Sequence, residues 1–134
     1  MDCSKIRVSL VASLQQIWPG RAFVLSPSPA SRALEEAGLL ITPENAADQQ
    51  FDADGLNIVE PRPQWKDPVM VAEQALRMAN GTVLNVAGRE IEMKVRSICV
   101  HGDRPNVVDI ATAVRKRLEA SGILVKSIYG AIGS

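Results

Sequence analysis

Histidine is the one side chain whose ordinary pKa lies near neutrality, and this chain has a single one, His101, followed by Gly102 and Asp103. An imidazole and a carboxylate at that spacing could serve as a general acid–base pair or as one nitrogen and one oxygen ligand of a metal ion. Plainer roles stay open beside these. His101 could hydrogen-bond a loop carbonyl, and Asp103 could cap a helix beginning near Pro105. A metal needs three or four ligands, and the chain has no cysteine pair at ligand spacing, only His101, Asp103 and distant carboxylates. Metal is therefore unsupported. No Gly-x-Ser-x-Gly elbow places a nucleophilic serine, and no Gly-x-x-x-x-Gly-Lys loop cradles a phosphate. Cys99 falls in an apolar run and reads as an inert buried thiol, because reactive thiols need an exposed, electropositive setting.

The elements that must position this pair follow from periodicity. Residues 98–100 are a short apolar run suited to a buried strand, broken at Gly102. After Pro105, apolar residues at 107, 110, 111, 114 and 118 predict a helix over 105–120. The order is strand, polar corner, helix, and in α/β folds ligands meet the carboxyl ends of the strands. Upstream, Ile6, Leu10, Leu14 and Ile17, with Val11, form one helical stripe over residues 4–18. A strand at 22–25 leads through Ser26-Pro27-Ser28-Pro29 into a helix over 31–37, with Ser28 as N-cap and Pro29 at the first position. A second strand is expected at 39–42. Residues 43–66 lose periodicity, and Asp52 and Asp54 there read as turn formers. Asp67-Pro68 opens a helix to residue 79, with Val69, Ala72, Leu76 and Ala79 on one face and Val71, Ala75 and Met78 beside it. A hairpin turning at Gly88 fills 82–95, placing Ile91, Met93 and Val95 on one side. Residues 123–128 form a last strand or extended tail. This alternation indicates an α/β fold with a partly parallel sheet.

At 134 residues the chain suits one domain, 1–134, with a real core. Fifteen basic and fifteen acidic residues cancel, which removes any electrostatic reason to expect nucleic acid or an acidic membrane surface. No apolar run approaches the roughly 20 residues that cross a bilayer, and residues 1–5 do not open a secretory signal. A cytoplasmic protein with two free thiols, Cys3 and Cys99, is the simplest expectation.

Residues 99–103 (Cys-Val-His-Gly-Asp), Pro105, residues 113–115 (Ala-Val-Arg) and residues 118–122 (Leu-Glu-Ala-Ser-Gly) resemble the close of the LamB/YcsF family, known as the A subunit of the prokaryotic 5-oxoprolinase. Residues 44–55 look like that family's Phe-Ala-Asp-Arg-x-Tyr…Asp-Gly segment, and Asp67-Pro68 and Arg77-Met78 fit its Asp-Pro and Leu-Arg-Met positions. The similarity runs without gaps over about residues 22–123 and is strongest after 95. It implies a distorted (β/α) barrel related to sugar-polymer deacetylases. A complete barrel takes about 250 residues, so this chain corresponds to half of one, the carboxyl-terminal half, as a partly parallel sheet covered by helices. Half a barrel leaves strand edges bare, so helices cover an open sheet or another chain completes it, and a homo-oligomer is one outcome.

The resemblance further implies ATP-dependent hydrolytic opening of 5-oxoproline to L-glutamate, with ATP as cofactor and the B and C subunits of 5-oxoprolinase as partners. On that reading His101 and Asp103 are catalytic, and Asp48, at the Asp of Phe-Ala-Asp-Arg, binds substrate. Four positions depart from the pattern. Gln49 replaces the Arg and removes a fixed cation, Phe51 replaces Tyr, Lys66 replaces the His before Asp-Pro, and Arg104 replaces a small residue before Pro105. The polar motifs of the family's amino-terminal half do not occur. A barrel site needs groups from several strand ends, so the alternative is a non-catalytic α/β remnant acting as a binding or interaction module.

Overall fold

Three short parallel strands form the sheet. The computed structural model describes residues 3–17 and 20–127, without the side chains of Cys3, Ser4, Ile6 and Arg7. Its elements run α1 (Cys3–Ile17), β1 (Ala22–Leu25), α2 (Pro29–Glu36), β2 (Ile41–Ala46), β3 (Gln50–Phe51), β4 (Asn57–Ile58), α3 (Pro68–Ala79), β5 (Thr82–Leu84), β6 (Glu90–Glu92), β7 (Ser97–Cys99) and α4 (Val107–Ala120). Strand β2 lies between β1 and β7, parallel to both, while β3/β4 and β5/β6 are separate antiparallel ribbons. The expected α/β class, a parallel sheet covered by helices, is what the chain adopts.

Helix α2 starts as its sequence demands. Ser28 Oγ accepts the Ser31 N–H at 3.0 Å, Ser31 Oγ accepts the Ser28 N–H at 3.1 Å, and Pro29 occupies the first turn. Ala30 and Leu34 are then buried where α2 packs on β1 and β2. Strand β2 outruns its expected end at Thr42, because Pro43 and Glu44 interrupt the apolar run without interrupting the strand. Pro43 accepts the Arg96 N–H at 2.8 Å, so its own nitrogen faces the β7 side, where pairing begins only at Glu44 and Ser97. The missing N–H therefore breaks no rung of the ladder.

The aperiodic stretch 43–66 contains the end of β2 and the ribbon β3/β4. Asp52 makes the ribbon's turn, with Oδ1 accepting the N–H groups of Asp54 and Leu56, each at 2.9 Å. Gly55 has φ +79, and a Cβ there would stand 3.3 Å from Ile91 Cδ1, so both backbone and space call for glycine. Helix α3 is capped by Asp67, whose Oδ1 accepts the Val69 N–H at 2.9 Å. Its buried face is Val71, Ala72, Ala75 and Met78, not the stripe led by Val69, which is 66% exposed. That face meets Ile110, Val114 and Leu118 of α4, and Phe51, Val83 and Met93 close the same core. The hairpin β5/β6 pairs Val83 with Ile91 and turns at Gly88, with Ile91 and Val95 against the core as the alternation required.

Helix α1 departs from its sequence pattern. Leu10, Leu14 and Ile17 are exposed, Ile17 by 84%, while α1 packs beside α2 and Gln15 ties it to the chain entering β2. Its side-chain amide donates to the Leu40 carbonyl at 2.7 Å and accepts the Leu40 N–H at 3.3 Å. The side chain of Ile6, and Trp18 at the end of the expected helix, lie outside the described residues. Residues 123–127 form neither helix nor strand, and Ile128 is likewise outside. Among the described residues no helix is long and apolar enough to cross a membrane.

Candidate functional site

Parallel register creates the site. Strands β2 and β7 pair Glu44 with Ser97, Asn45 with Ile98 and Ala46 with Cys99. Carrying that pairing two residues past each strand sets Asp48 beside His101, at the same separation of 53 residues. The Ala47 N–H still bonds the Cys99 carbonyl at 3.2 Å, so the two chains leave the sheet together. His101 Nδ1 then lies 2.9 Å from Asp48 Oδ1, and the His101 backbone N–H donates to Asp48 Oδ2 at 3.3 Å. An ionised carboxylate only accepts, so Nδ1 carries the proton and Nε2 is the ring's other nitrogen, open to a reactant. Asp48 has a side chain 0% exposed, while the imidazole is 38% exposed. A buried acid orients a reachable base.

Arg104 closes the far side of that acid. Its side chain is 3% exposed, and its Nε–H donates to Asp48 Oδ2. Nη2 donates to the Asp48 carbonyl at 2.7 Å, and Nη1 to Glu60 Oε2 at 3.1 Å and the Gln64 carbonyl at 2.9 Å. Lys66 Nζ pairs with Glu60 Oε1, and Asn106 holds both backbone groups of Lys66, donating at 2.8 Å and accepting at 3.4 Å. Burial would raise the Asp48 carboxyl, but the hydrogen bonds and charges of His101 and Arg104 outweigh it and hold Asp48 below the usual range. The Lys66 ammonium, joined by Arg104 and opposed by burial, draws Glu60 down to about 2. Burial disfavours a charged Arg104, yet Asp48 and Glu60 together keep it charged. Two carboxylates thus face two fixed cations before His101 is counted.

Asn45, wholly buried at the end of β2, braces this corner. It donates to the Ser26 carbonyl at 2.7 Å and accepts from the Ala46 N–H and Asn57 Nδ2, each at 2.8 Å. Cys99 is a half-buried free thiol, pushed up by burial and then by the charges of Glu44 and Asp48, which leaves it protonated near neutrality. Beside the dyad opens a cleft of about 350 Å³, in the range of small-molecule sites. Asp48, Gln49 and Lys66 line one end, Arg77 lies in the last turn of α3, and Phe51 and Val71 are apolar wall. Asp48 belongs to both dyad and cleft, while His101 is not among the cleft's lining residues.

Of the three residues singled out from sequence, the structure brings His101 and Asp48 together and leaves Asp103 apart. Asp103 is exposed, and it does not cap α4, whose N-cap position is Asn106. The cation missing at Gln49 is present after all, because Arg104 reaches Asp48 from the other strand's loop. Arg104 and Lys66, which depart from the family pattern, and Glu60 and Asn45, which no motif marks, complete the site. The one available signal was clustering of unlike charges in residues 60–67. Among the described residues no three His, Cys, Asp or Glu side chains group as metal ligands.

Residues 4–132 match the LamB/YcsF family. The chain belongs to that family. This LamB/YcsF chain is 39% identical over 127 residues to the 5-oxoprolinase A subunit of Rhodopseudomonas palustris (strain ATCC BAA-98 / CGA009), an overlap of 91% of this chain and 50% of the relative. It is 43% identical over 99 residues to the 5-oxoprolinase A subunit of Mycolicibacterium gilvum (strain PYR-GCK), covering 71% and 39% respectively. A crystal structure of the lactam utilization protein from Thermus thermophilus superposes with a TM-score of 0.80 at 26% identity, over 93% of this chain and 51% of that one. The LamB/YcsF chain spans about half the length of the curated relatives it matches.

Proposed function

We propose that this chain provides the imidazole–carboxylate dyad for hydrolytic opening of a cyclic amide, in the manner of a 5-oxoprolinase A subunit. One observation carries the reading: His101 Nδ1 is held 2.9 Å from a buried Asp48 at the carboxyl ends of neighbouring parallel strands. An unstrained lactam resists water because its amide is resonance-stabilised. In the expected reaction ATP phosphorylates the lactam oxygen of 5-oxoproline with release of ADP, and water adds to the activated carbon. The ring C–N bond breaks as the nitrogen takes up a proton, and the resulting acyl phosphate is hydrolysed to glutamate and phosphate. His101 Nε2 takes a proton from the attacking water, and Asp48 steadies the imidazolium that forms. Arg77 and the side-chain amides of Gln49 and Gln50 give the adjoining cleft donors suited to carboxylate or phosphoryl oxygens. The B and C subunits complete the assembly, and the chain takes the place of the carboxyl-terminal half of a (β/α) barrel in the cytoplasm. Asp103, exposed at the same corner, is left to meet substrate from outside the dyad.

The test is ATP-dependent release of glutamate from 5-oxoproline, with this chain mixed with the B and C subunits of a relative. His101→Asn should lower kcat by about 10²–10⁴-fold, the usual contribution of a general base. No turnover from a well-folded sample would sink the reading. A second reading, an interaction module without chemistry, is favoured by one feature. Phe23 and Leu25 on the edge strand β1, and Leu10, Leu14 and Ile17 on α1, are exposed apolar groups that a partner or second copy could cover.

A further inference from the structure

We propose that Arg104 is a positioning residue that sets the basicity of His101 by taking up the charge of the carboxylate they share. The inference rests on His101 being the base of the dyad. A buried carboxylate facing an imidazole alone would draw a proton onto the ring, since an ion pair answers the cost of an unpaired buried charge. Here that charge is already answered. Arg104 Nε–H sits on Asp48 Oδ2, leaving Oδ1 for His101 Nδ1. Its Nη1 is held in turn by Glu60 and the Gln64 carbonyl, so the guanidinium cannot swing away without releasing residues 60–66. Planar, permanently charged and forked, it satisfies four acceptors from one buried position, which a lysine could not do. Asp48 and Glu60 carry two negative charges, Arg104 and Lys66 two positive ones, so the cluster is neutral with a neutral imidazole. A ring that is not needed as a counter-ion is free to accept a proton from water.

The titratable groups flanking the ring along its own chain are Cys99 at the end of β7 and Asp103 two residues on. Neither is a cation, so among the described residues Arg104 is the group that offsets Asp48. His101 is the only histidine, so its ring signals can be followed through a pH titration of the whole ¹⁵N-labelled chain by NMR without ambiguity. Arg104→Gln should move the imidazole midpoint upward from the parent chain by about one to two pH units, the usual effect of an unshared carboxylate. Arg104→Lys, which keeps the charge, should stay closer to the parent. Glu60→Gln should shift the midpoint the opposite way, since it leaves the cluster one positive charge in excess. A merely structural arginine would destabilise the chain in both Arg104 variants without this ordering. A folded Arg104→Gln chain whose midpoint equals the parent's would overturn the proposal, as would an upward or absent shift in Glu60→Gln if Arg104→Gln does not fold. The titration needs no turnover, so a chain inactive towards lactams would defeat the functional reading while leaving this one decided on its own data.

Discussion

Replacing Asp48 with asparagine keeps the shape of the corner and removes its charge. Arg104, 3% exposed, would then face a neutral amide where it had a carboxylate. Breaking one partner of a buried pair typically costs about 3–5 kcal/mol, so Asp48→Asn should lower the urea midpoint well beyond what a surface change would. The acid limb of stability has a definite sign. Asp48 and Glu60 both titrate lower folded than unfolded, where their ordinary values are 3.8 and 4.5. The unfolded chain therefore binds more protons in that range. Their stabilisation is present above about pH 4.5 and is lost as pH falls toward 2. Urea midpoints between pH 2 and 6 should show this slope, and Glu60→Gln should flatten it. At this scale the sequence exposed the histidine and, through family resemblance, Asp48. It could not pair them, because adjacency on the chain suggested Asp103, and Arg104 reaches Asp48 across 56 residues of separation.

At the scale of elements, α3 offers a direct check on which stripe is buried. Ala75 is wholly buried between α3 and α4, whereas Val69 stands 66% exposed. Ala75→Leu should cost about 1–3 kcal/mol through overpacking, while Val69→Ser should stay within about 0.5 kcal/mol of the parent. Equal effects in urea titrations would mean the helix is rotated. Local signals served well wherever they were self-contained: the Ser28 N-cap with Pro29 behind it, the Asp67 cap, the Gly88 hairpin and the periodic core face of α4 were all readable. They failed where neighbours decide. The apolar stripes of α3 are nearly equivalent in sequence, and only the position of α4 selects between them. Pro43 disguises a central strand because its harmlessness depends on where β7 begins.

At the scale of the molecule, the edge of β1, which pairs with no further strand among the described residues, and the outward residues of α1 lead to an expectation about mass. Unpaired strand edges with exposed Phe23 and Leu25 invite pairing with another chain. Sedimentation equilibrium at micromolar concentration should show a species heavier than the monomer, and Phe23→Lys should shift it toward the monomer. A monomer in both samples would leave the edge uninvolved. The α/β class was visible from the alternation of strands and helices. How the bare edges are covered was not, since that depends on surfaces no periodicity describes. One further property follows from where the dyad's supports originate. Asp48, His101, Arg104, Glu60, Gln64, Lys66 and the bracing Asn45 and Asn106 all come from one continuous stretch, residues 45–106. The pair is assembled by its own neighbourhood and does not wait for a visitor to build it. Transplanting residues 45–106 into a relative would carry the whole corner with it.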